Sequence, residues 1–139
     1  MEMRHADAIN LAEELIKISF DQIFEAVKAE FEGVELEKVE YRIVRLGNSG
    51  KYASYNPETK SIIFNVYNIG GKIQRDVNNF GITVDESIKY LLEAIAHEIC
   101  HAFQHVRDGG FDNTLPYLER PHEVEAYALQ RVIIGKLLS

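Results

Sequence analysis

Residues 97 to 101 read HEICH, inside the longer stretch LLEAIAHEICHAFQHVRDGG: two histidines four apart, with a glutamate directly after the first. On an α-helix, residues four apart lie one turn apart on the same face, so His97 and His101 can aim ring nitrogens at a single ion. Glu98 would then stand beside that ion, placed to take a proton from a water molecule that the ion polarises. With 5 histidines in 139 residues, chance supplies roughly 0.02 matches to this pattern. The choice between a metal site and an ordinary helix surface therefore falls to context.

Two features of context favour the metal. Ile88, Leu91, Leu92, Ile95, Ile99, Ala102, Phe103 and Val106 form one apolar stripe, and a rotation of about 100° per residue puts His97 and His101 on roughly the opposite side. They are not placed for the main core, which leaves a solvent-exposed pair or cover by the apolar final helix, and the second is expected over part of this face. A catalytic zinc also takes three protein ligands and keeps a position open. PHEVEAYAL (121–129) offers Glu123 and Glu125 for the third place, although a helix N-terminus favours acidic residues in its first turn without any ion.

These residues must be carried by helices, and the chain supplies them. Apolar residues recur at three- and four-residue steps from Asp7 to Phe31, which predicts a first amphipathic helix closed by Gly33. LEKVEYRIVRL (36–46) suits a half-buried strand, and KYASY, NPETK and SIIFNVYNI (51–69) read as strand, turn, strand. GGKIQRDVNNFG (70–81) has no clear period and reads as a loop or short helical turn. Thr83 and Glu86 fit a capping box at the start of the helix that carries HEICH, which should stop at Asp108-Gly-Gly. FDNTLPYLER (111–120) reads as a loop, after which Pro121 opens a last helix that is apolar nearly all round and expected to be buried.

H-E-x-x-H followed by a second helix bearing E-x-x-A resembles the gluzincin zinc metallopeptidases, and the short span from His101 to Glu123 resembles their small single-domain members. The resemblance implies an α+β, zincin-like fold: an N-terminal helix, a small antiparallel sheet, the HExxH helix, and a C-terminal helix carrying the glutamate ligand. It implies that His97, His101 and Glu123 hold one Zn2+, or another divalent ion, and that Glu98 is the general base. The activity implied is peptide-bond hydrolysis through a metal-activated water, with an extended peptide or protein substrate on an edge strand, for which SIIFNVY is the candidate. Thermolysin-like members place an aspartate after the small residue to support a ligand histidine, whereas this chain has Tyr127 after Ala126.

Other roles stay open. His122, Tyr117, Arg120 and Tyr127 are each candidates to stabilise a developing oxyanion, and His105, one turn past His101, could meet substrate or cap the helix. A catalytically silent peptide-binding module with the same fold is the alternative function. Bulk composition bounds the rest: 139 residues point to a single domain over 1–139, and a net charge of −7 without a basic cluster argues against nucleic acid. One cysteine and no apolar run near 18 residues lead to the expectation of a cytoplasmic protein without a membrane partner, with a second copy of the chain as a further candidate partner.

Overall fold

The computed structural model describes residues 2–111 and 113–139; Asp112, in the expected 111–120 loop, lies outside the described residues. Helix α1 (His5–Glu30) buries Ala8, Ile9, Ala12, Ile16, Phe20, Ile23, Phe24 and Val27. These are the three- and four-residue steps read from the sequence, each large side chain contributing about 1.5–3 kcal/mol by leaving water. Strands β1 (Glu40–Val44), β2 (Ala53–Asn56) and β3 (Ser61–Asn65) form one sheet in the order β1-β3-β2.

The α+β architecture is as expected, but the sheet is mixed rather than wholly antiparallel. β3 pairs antiparallel with β2, Ala53 opposite Phe64, and parallel with β1, Tyr41 opposite Ile62. Central β3 places Ile62 and Phe64 at zero exposure, while β2 has a sheet neighbour on one side only. The edges are therefore β1 and β2, with β2 the one that contacts α3, and the SIIFN part of SIIFNVY, the expected edge, lies at the centre.

The strand expected through residue 69 ends at Asn65, and α2 (Val66–Phe80) replaces the expected loop. Its Gly70 explains part of the misreading, because the residue signals a turn but here serves a helix crossing. A Cβ at Gly70 would lie 2.8 Å from the backbone nitrogen of Ile9, so only glycine lets α1 and α2 approach this closely. Buried Asn65 ends β3 by imitating a strand partner: its side chain accepts from Leu46 N and donates to Leu46 O, both at 3.0 Å. Asn68 donates to Lys51 O, and these two asparagines fix the 46–52 segment that leads into β2.

Helix α3 (Val84–Asp108) starts as its sequence predicts, with Thr83 Oγ1 accepting from Glu86 N at 3.1 Å. It stops at Gly109, whose left-handed φ of 75° closes the last turn. A short 3-10 turn (Tyr117–Glu119) leads into α4 (Pro121–Leu137). Helix α4 packs on α3, but it buries only Glu123, Ala126, Ile133 and Ile134 and leaves Val124 and Val132 exposed. Its all-round apolarity is thus not matched by all-round burial. No helix is long and apolar enough to cross a membrane among the described residues.

Candidate metal centre

His97 and His101 are buried, at 6% and 7% exposure, although they lie off the apolar stripe of α3. The cover comes from α4, whose Glu123 is equally enclosed. Nε2 of His97 and Nε2 of His101 each lie 2.9 Å from the same carboxylate oxygen, Glu123 Oε1. Ligand atoms of His97, Glu98 and His101 also lie within 4.8 Å of one another. Two helices thus bring two imidazoles and two carboxylates to one place. Glu125, the rival for the third position, points elsewhere: it accepts from Gln104 and from Arg107.

The outer ring nitrogens decide what the inner ones can do. Gln104, fully buried, donates through Nε2 to the main-chain carbonyl of His122 and to Glu125 Oε1, both at 2.8 Å. A carbonyl can only accept, so the Gln104 amide has one orientation, and its Oε1 faces His101 Nδ1 at 2.8 Å. His101 therefore donates from Nδ1 and, when neutral, presents a bare lone pair at Nε2. Burial holds its pKa below the ordinary imidazole value, favouring that neutral form. Gln130 Oε1 lies 2.8 Å from His97 Nδ1, and His97 Nε2 lies 2.9 Å from Glu123 Oε1, so the proton of this ring has a partner at either nitrogen.

On His101 a lone pair consequently faces a carboxylate oxygen. A cation resolves this repulsion, and neutral imidazoles with a carboxylate are a donor set that divalent zinc accepts. The residues present fit the group. A buried thiol, Cys100, sits behind the site; burial and nearby carboxylates push it up to about 12, so it stays a thiol.

Glu98 belongs to the same cluster, with a carboxylate oxygen within 4.8 Å of the ligand nitrogens of His97 and His101. Tyr55 on β2 and Lys51 lie close enough to favour its charged form. Burial first, and the charge of Glu123 second, push Glu98 up to about 8, against the opposing influence of Tyr55 N–H and Lys51. A carboxyl so placed exchanges a proton near neutral pH.

The centre opens into a cleft of about 710 Å³, with Gly50 to Tyr55 on one wall and Tyr117, Arg120, His122 and Tyr127 on the other. Burial first, and the neighbouring Tyr127 and Glu123 second, raise the pKa of Tyr117 and keep the phenol protonated. Tyr127, at the position where an aspartate was looked for, lays its ring 4.5 Å from that of His97. His105 faces Phe111, at 5.6 Å between ring centroids, and Phe111 stacks on His122 at 4.5 Å. Phe111 and His122 line the cleft, and His105 does not.

Gln104 and Gln130 were not singled out from the sequence. A signal existed for the second: Glu123, Tyr127 and Gln130 recur at four- and three-residue steps, a polar line down an otherwise apolar helix. No protein-family model, curated protein or solved structure matches the chain.

Proposed function

We propose that the chain is a zinc-dependent metallopeptidase of gluzincin type, with His97, His101 and Glu123 as ligands and Glu98 as general base. One observation carries the reading: both imidazole Nε2 atoms converge at 2.9 Å on Glu123 Oε1 while their Nδ1 atoms are engaged by glutamines. Zinc bound there would supply a Lewis acid and water with a pKa of about 7.

The chain's own groups supply the remainder. Glu98 takes a proton from the attacking water on its carboxylate and returns it to the departing amine nitrogen, which keeps proton transfer within one residue. Tyr117, still protonated, lines the cleft and would supply a donor where the carbonyl oxygen of a substrate gathers charge. Edge strand β2 offers backbone groups to an extended peptide, which would be added as a fourth strand.

The test is elemental analysis of the purified chain together with digestion of a peptide library, for the native sequence and for Glu98→Gln. Zinc in both, with cleavage by the native chain alone, is expected. Zinc in both with cleavage by neither would overturn the hydrolase and leave a peptide-binding module.

A further inference from the structure

A second cavity adjoins the metal cleft. It measures about 170 Å³, lies between α2 and α3, and is walled mainly by Ile69, Ile73, Leu91 and Ala94. Tyr52, Tyr90 and Ala94 line both spaces, so the smaller one is a side recess of the larger. Ala94 stands three residues before His97 and four before Glu98, hence one turn from the metal centre.

The recess holds one anomaly. Ser87, at 2% exposure, has a buried hydroxyl with no hydrogen-bond partner among the described residues. A buried polar group left unpaired is costly, and water is a poor remedy, because an ordered water needs two to four polar partners and these walls are aliphatic. The charged residues at the edge do not help: Lys72 and Asp76 pair with each other at 2.5 Å, and Lys72 also lies over the Tyr90 ring. No unpaired charge remains there for a charged side chain to meet.

We infer that this recess takes the side chain of a tyrosine in the peptide lying in the cleft, with the phenol hydroxyl hydrogen-bonded to Ser87 Oγ. Size supports an aromatic ring, since an apolar cavity of about 150 Å³ accommodates benzene. The unpartnered Ser87 hydroxyl among mainly apolar walls supports the phenol over a plain phenyl, which would leave Ser87 unpaired. The inference rests on the peptide reading above, and it adds a specificity residue on a part of α3 away from HEICH.

Binding of p-cresol and toluene to the zinc-loaded native chain, followed through the amide resonances of Ser87, Leu91 and Ala94, tests the recess without catalysis. Cresol should bind about two- to tenfold more tightly, and Ser87→Ala should abolish that preference while leaving toluene binding unchanged. Equal binding of the two by the native chain, a preference that survives Ser87→Ala, or binding of neither overturns the inference. Matched peptides differing only in tyrosine or phenylalanine give the catalytic arm. A cresol preference without any peptide cleavage would leave the recess standing and remove the hydrolase; cleavage indifferent to the pair, with no cresol binding, would do the reverse.

Discussion

His97 and His101 sit one turn apart on one helix and meet the same oxygen, yet their outer nitrogens are held differently. Behind His101 runs a chain of groups, from Gln104 to Glu125 to Arg107, with bonds of 2.8 to 2.9 Å and a main-chain carbonyl that fixes the amide. Behind His97 stand the Gln130 amide and the ring of Tyr127. The difference teaches that one histidine is oriented by a network fixed at a main-chain carbonyl and the other by a single hydrogen bond plus ring packing. Both supports are neutral amides where a carboxylate would add negative charge, so a bound divalent ion keeps more of its positive charge.

The harshest way to break this comparison is to remove what the two halves share. Glu123→Ala should reduce zinc from about one ion per chain to near zero by elemental analysis; retained zinc would mean that the two histidines hold the ion without α4. A finer cut separates the halves. Gln104→Ala should weaken zinc binding by about 10- to 100-fold in competition with a chromophoric chelator, and Gln130→Ala by clearly less. Equal losses would erase the distinction between network and single bond.

The smallest effect is read at Cys100, between the two ligands. With its thiol pushed up to about 12, only about one in ten thousand is ionised at pH 8, and the group is fully covered. Alkylation should therefore be slow in the native chain and report separation of α3 from α4. Zinc should slow it further, and Gln104→Ala should accelerate it more than Gln130→Ala does.

The site was legible where chemistry imposes spacing. HEICH sets two histidines on one helix face by helical period, whereas the residues alone left Glu123 and Glu125 open and only the resemblance to E-x-x-A favoured Glu123. Thr83 and Gly109 marked the ends of α3 because caps depend on local chemistry. The supporting glutamines were not legible with equal ease, since their partners lie 3 and 33 residues away and an amide answers to no fixed spacing. Helix α2 was missed because its glycine pair reads as a turn locally, whereas the reason for Gly70 is Ile9, far off in sequence. The parallel pairing of β1 with β3 likewise depends on long-range packing that strand-by-strand patterns do not encode.

That tight crossing reaches beyond the contact itself. Ile69 and Ile73, which back the side recess, flank the position where α2 meets Ile9 through a bare backbone. A single methyl at residue 70 would act as a wedge between two helices and tilt the very turn that supports those isoleucines. The caliper of the recess is thus set by a hydrogen atom on the α1 contact, well away from any ligand that enters it.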